Sequence, residues 1–139
     1  MKKERYSLFS DGGARGNPGP AGIGFLVFKG KKLIKFDGKY IGISTNNKAE
    51  YKALIMGLKQ IQKLNIKEIV CYLDSELIVK QIKGEYKVKS PDLKPLFETV
   101  QTYLSKIKNI SFVHIPRSSN SFADKLANIA LDAAEDSQK

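Results

Sequence analysis

A chain of 139 residues is about one domain long and can bury a single core. Its 42% apolar and 27% charged residues exclude a disordered or fibrous polymer, and no apolar run reaches the roughly 18–20 residues a membrane span needs. One cysteine, Cys71, and one histidine, His114, exclude an internal disulfide and a structural zinc centre; the net charge of +10, from 24 Lys and Arg against 14 Asp and Glu, favours an anionic partner such as a nucleic-acid backbone.

Nearly all the cations are lysines, the arginines being Arg5, Arg15 and Arg117. Scattered lysine suits sequence-independent attraction to phosphates, whereas base readout leans on bidentate arginine. The basic start, Met1-Lys2-Lys3-Glu4-Arg5, is not followed by an apolar stretch with a cleavage site, so no leader is expected and a reducing, cytoplasmic setting is. With no linker or repeat, 1–139 reads as one domain with a core at about 5–133 and a frayed, acidic tail from Ala134 to Lys139.

In chain order, strand-like runs come first. Tyr6–Asp11 is bounded by glycines; Gly22–Lys29 and Lys32–Tyr40 flank Gly30-Lys31, a hairpin signal. From Asn46 to Leu64 the apolar spacing becomes helical, and Thr45 or Asn46 can cap that helix. Ile69–Leu73 is a continuous apolar run, as in a strand covered on both faces. A helix is expected over Ser75–Ile82, ending near Gly84, and another from Ser90-Pro91-Asp92 to about Lys106, with its proline in the first turn. Ile110–Ile115 is a last strand, and Ser121–Ala133 a last helix capped by Ser119 or Asn120. A hairpin-rich first half followed by alternating units predicts a mixed α/β sheet.

Four acids sit where solubility does not require them. Asp11 ends the first strand and Asp74 the fourth, and crevices in open α/β sheets lie beyond the carboxyl ends of strands. Glu50 shares the inward helical row with Leu54, Gly57 and Ile61, where a charge is costly unless a cation meets it. Asp124 lies in the first turn of the last helix, beside the Ala123, Ala127 and Ala130 stripe. Each acid alone could be a turn residue, a cap or a dipole partner. Together, as hard oxygen ligands, they favour Mg²⁺ or Mn²⁺. Two such ions about 4 Å apart are the apparatus of phosphodiester hydrolysis, activating water and stabilising the leaving oxygen.

Two loops add to this. Ser10–Gly24, SDGGARGNPGPAGIG, is neither a P-loop nor a Rossmann fingerprint. Its small residues let backbone N–H groups approach a phosphate or 2′-hydroxyl, with Asn17 adding donors and Arg15 a cation. Thr45 and Asn46 would place a hydroxyl and an amide at a helix N-terminus. A glycine-rich turn and plain helix capping are the alternatives.

The stretches FSDGGARGNPGPAGIG, STNNKAEYKALIMGL, YLDSELIVKQI and IPRSSNSFADKLANIA resemble type 1 ribonuclease H, over about Tyr6 to Ala133. The resemblance implies the ribonuclease H fold: a five-stranded mixed sheet, three strands antiparallel and then parallel ones, with helices on both faces. It implies an endoribonuclease cutting the RNA strand of RNA–DNA hybrids and leaving 5′-phosphate and 3′-hydroxyl ends. In that analogy Asp11 bridges both metals, Glu50 and Asp74 complete one, and Asp124 holds the other beside the attacking water. Asn17, Thr45, Asn46 and the Gly12-Gly13 backbone match positions that grip RNA 2′-hydroxyls and the DNA phosphate, and Glu76 matches one near the RNA strand.

The chain departs from that pattern in three places. Many relatives carry a loop histidine before the last helix; here the loop is Pro116-Arg117-Ser118-Ser119-Asn120, leaving Arg117 as the candidate phosphate-proximal cation and Asn120 as a candidate auxiliary. His114 reads as a packed strand histidine. Gly84–Ser90 is short and the chain lacks Trp, so the basic handle of some relatives is missing. Leu73 stands where a small hydroxyl residue often precedes the aspartate. These departures leave open double-stranded RNA as a substrate, and a non-catalytic nucleic-acid-binding module or a metal-dependent exonuclease as alternatives. A monomer is the default.

Overall fold

The computed structural model describes residues 4–137; the basic start at Met1 to Lys3 and the tail end at Gln138 and Lys139 lie outside the described residues. Strands β1 (Tyr6–Ala14), β2 (Gly19–Lys29) and β3 (Lys32–Ser44) form an antiparallel meander. Then α1 (Asn46–Lys63), β4 (Glu68–Leu73), α2 (Glu76–Ile82), α3 (Lys94–Lys106), β5 (Asn109–His114), a 3-10 turn at Arg117–Asn120 and α4 (Ser121–Ser137) follow. The sheet order is β3-β2-β1-β4-β5, with β1–β4 and β4–β5 parallel, so the expected five-stranded mixed sheet forms. No helix among the described residues is long and apolar enough to cross a membrane.

Alternation along β2 assigns the two faces. Phe25 and Val27 join Leu8, Cys71 and the α1 residues Tyr51, Leu54, Leu58 and Ile61 in the main core, which α2 and α3 complete through Ile78, Val79 and Val100. The intervening Gly22 and Gly24 meet α4 instead: a Cβ would stand 2.3 Å from the Ala127 carbonyl oxygen at Gly22 and 2.7 Å from that of Ala123 at Gly24. The alanine stripe of α4 therefore rests directly on the β2 backbone. Cys71 is free and buried within the core, and burial pushes its thiol pKa up.

Four sequence expectations need correction. Strand β1 runs three residues past Asp11, because Gly12, Gly13 and Ala14 keep pairing with Ile23, Gly22 and Ala21. Strand β3 continues to Ser44 through a bulge, where Ala21 pairs with Gly42 but Gly22 with Tyr40; Gly42 takes φ +79°. Helix α3 begins at Lys94, so its first-turn proline is Pro95, while Ser90 to Leu93 form a turn closed by the Leu93 N–H to the Ser90 carbonyl. The tail from Ala134 to Ser137 does not fray but continues α4, with Glu135 ion-paired to Arg15.

Candidate active site

The last β1–β4 register pair is Phe9 with Tyr72, whereas β1–β2 pairing continues through Asp11 with Gly24. Asp11 thus stays held on one side while the crevice opens on the other. Asp74 follows β4 directly and does not cap α2; Ser75 does, its hydroxyl accepting from the Ile78 N–H at 3.3 Å. That leaves the Asp74 carboxylate to the crevice, whose volume is about 470 Å³ and whose walls include Asp11, Glu50, Asp74 and Asp124.

Gly12 brings the third acid in. A Cβ there would stand 2.3 Å from the Ala49 carbonyl oxygen, so only glycine lets the first turn of α1 lie this close to β1. Thr45 caps that helix, accepting from the Lys48 N–H at 3.3 Å, and Glu50 follows on the buried face. Oxygen atoms of Asp11, Glu50 and Asp74 all lie within 4.8 Å of one another, although Asp11 is only 8% and Glu50 9% exposed. Asp124 is exposed but close enough to Asp11 to perturb it.

The electrostatics are unfavourable without a cation. Burial, then the Asp74 charge, pushes the Asp11 carboxyl up to about 7. Burial and the charges of Asp11 and Asp74 hold Glu50 well above the usual carboxylate range, only partly offset by the Gly12 N–H. Glu50 Oε2 is buried with no hydrogen-bond partner. A divalent ion with hard oxygen ligands fits this donor set: it would satisfy that orphaned oxygen and relieve the repulsion.

Beside the acids, the glycine-rich loop is tied to α1. Asn17 Oδ1 accepts from the Asn46 N–H at 3.0 Å, and Asn46 Oδ1 accepts from the Ala14 N–H at 2.8 Å. Gly12, Gly13 and Asn46 line the crevice.

The sequence matches the reverse transcriptase-like family over residues 9–130. It is 38% identical to ribonuclease HI of Halobacterium salinarum, across 94% of this chain and 66% of that one. The chain belongs to the type 1 ribonuclease H family. It is also 44% identical to the bifunctional protein Rv2228c of Mycobacterium tuberculosis over 92% of its own length, yet it spans only 36% of that protein. The N-terminal RNase H domain of that protein superposes with a TM-score of 0.92 at 41% identity, covering 98% of this chain and 99% of the domain. LC11-RNase H1, solved in complex with an RNA/DNA hybrid, gives a TM-score of 0.89 at 44% identity, covering 94% and 99%.

Within this ribonuclease H domain, the remaining expected residues divide. Arg117 lines the crevice with the acids. Arg15 also lines it, but its guanidinium is committed to α4: it pairs with Asp132 at 2.6 Å and Glu135 at 2.9 Å and donates to Asn128 Oδ1 at 3.3 Å. Glu76 is exposed and ion-paired to Lys80 at 2.7 Å, which lowers its pKa. His114 is not packed; it is the exposed last residue of the edge strand β5. Neither Ser119 nor Asn120 is a free cap for α4, because the 3-10 turn runs straight into it and the Asn120 amide is turned toward β1 and β4.

One crevice residue escaped the sequence reading. Asn128 Nδ2 donates to the Asp124 carbonyl at 3.0 Å and to Asp124 Oδ1 at 3.2 Å. Its i+4 spacing from Asp124 was a usable signal. The pairing of Arg15 with Asp132, 117 residues away, left none.

Proposed function

We propose that this domain is an endoribonuclease that hydrolyses the RNA strand of RNA–DNA hybrids with two divalent ions, Mg²⁺ or Mn²⁺, and leaves 5′-phosphate and 3′-hydroxyl ends. The observation that carries this is the convergence of three carboxylates within 4.8 Å around a buried, unpartnered Glu50 oxygen. Asp11, Glu50, Asp74 and Asp124 would hold the ions. When bound there, the ions supply positive charge to the scissile phosphate and lower the pKa of the attacking water.

The chain's own groups place the substrate. The Gly12-Gly13 backbone, Asn17, Thr45 and Asn46 contact the 2′-hydroxyls and the DNA phosphate, and the shared hydrogen bonds of Asn17 and Asn46 keep that grip rigid. Arg117, on the crevice wall, meets a phosphate oxygen in place of the missing loop histidine. Glu76 stands near the RNA strand. Water adds to phosphorus as the P–O3′ bond breaks, and a proton ends on the 3′ oxygen. We read residues 1–139 as one monomeric catalytic domain working in a reducing, cytoplasmic setting. The hybrid-bound LC11-RNase H1 supports the choice of substrate.

Purified protein incubated with labelled hybrid, double-stranded RNA, double-stranded DNA or single strands, in Mg²⁺, Mn²⁺ or EDTA, tests this. Internal RNA cuts confined to the hybrid and abolished by EDTA are expected. Cuts in double-stranded RNA would widen the substrate class, binding without cuts would leave a non-catalytic module, and end-directed degradation would indicate an exonuclease.

A further inference from the structure

The two strands bearing Asp11 and Asp74 stop pairing at Phe9 and Tyr72, just before the acids. Beyond that point a side chain from the 3-10 turn takes over. Asn120, 1% exposed, donates from Nδ2 to the Ser10 carbonyl at 2.8 Å and to Asp74 Oδ2 at 2.9 Å. Both acceptors are oxygens without a proton to give, so chemistry fixes which end of the amide faces them. Both amide hydrogens are spent on the two strands that carry the acids. The residue also immediately precedes α4, one turn before Asp124.

We infer that Asn120 is a positioning residue for the cation site, its buried amide locking the Asp74 carboxylate to the β1 backbone beside Asp11. The inference rests on the metal-dependent reading proposed above. Stability alone is a poor reason for this side chain: its Oδ1 is buried with no partner, a penalty that an apolar residue or a solvent-facing cap would avoid. What asparagine offers is one donor group that bridges a main-chain carbonyl and a carboxylate without adding charge. Aspartate here would set a second carboxylate against Asp74, and leucine would leave both acceptors bare. Partners that orient a metal-binding side chain in this way are typically worth about 10–100-fold in metal affinity or activity.

The test uses Asn120→Leu and Asn120→Ala in the full chain. Three quantities are read: calorimetric Mn²⁺ affinity without substrate, cooperative unfolding in EDTA, and kcat and KM on hybrid. Both variants are expected to bind Mn²⁺ about 10–100-fold more weakly and to lose kcat with KM unchanged. A purely structural residue would lower the unfolding midpoint while the folded fraction kept wild-type Mn²⁺ affinity, and that result overturns the inference. The wild type supplies an independent measurement if the variants do not fold. Mg²⁺ titration followed by NMR should shift the Asn120 side-chain N–H₂ resonances, and unmoved resonances at saturation would also overturn it. If wild-type protein neither binds Mn²⁺ nor cuts hybrid, the ribonuclease reading falls and this inference with it; active wild type with equally active variants overturns the role of Asn120 alone.

Discussion

The two walls of the crevice solve the problem of polar burial in opposite ways. On the loop wall every named group is satisfied from within: Asn17 with the Asn46 N–H, Asn46 with the Ala14 N–H, Thr45 with the Lys48 N–H, and Arg15 with Asp132 and Glu135. On the acid wall Glu50 Oε2 has no partner and Asp11 is pushed up to about 7 by burial and the Asp74 charge. The first wall is finished by folding; the second is left for a cation to finish. Such local conflict in an otherwise consistent fold is the mark expected of a functional site.

If the contrast is real, the largest effect comes from changing the acid wall. Asp11→Asn should reduce hybrid cleavage by more than the about 100-fold typical of losing a supporting partner of a metal ligand. The same substitution should stabilise the metal-free protein at neutral pH, since it deletes a buried charge. Unchanged cleavage in a steady-state assay would remove Asp11 from the site.

Next in size is the pH dependence of metal-free stability. Asp11 has a folded-state pKa of about 7 against an ordinary 3.8, so between those values the folded chain binds more protons than the unfolded chain. Its contribution is therefore full below about pH 4 and is lost as pH rises through 7. Chemical denaturation in EDTA should show this decline in the wild type and a flatter profile in Asp11→Asn. A profile that rises in the wild type relative to the variant over that window would contradict the assigned burial.

The smallest effects belong to the loop wall and its neighbour. Arg117→Ala should reduce the salt dependence of hybrid binding, log K against log salt, by about one unit, as for a lost phosphate contact. Arg15→Ala should leave that slope unchanged, because its charge is already committed to α4. Equal slopes for the two variants would erase the distinction between them.

Much of this was legible in the sequence because it depends on local periodicity. The inward row of α1 placed Glu50 with Leu54, Gly57 and Ile61, and all four are buried. The alanine stripe placed Ala123 and Ala127 beside the sheet and Asp124 near it. What escaped depends on contacts between distant segments. Strand β1 passes through Gly12 and Gly13 only because β2 pairs with them, and the end of α4 carries the pairing of Arg15 with Glu135. Asn120 looked like a cap because its sequence position allowed it; only the fold brings Ser10 and Asp74 within reach of its amide.

The central claim is that a cation completes the acid wall, and thermal unfolding at pH 8 with and without Mn²⁺ tests it most directly. At a hundred times Kd, bound Mn²⁺ should add about 2.7 kcal/mol of stability and raise the wild-type midpoint by roughly 10 °C, with little change in Asp11→Asn. A wild-type midpoint indifferent to Mn²⁺, or an equal rise in the variant, would contradict it.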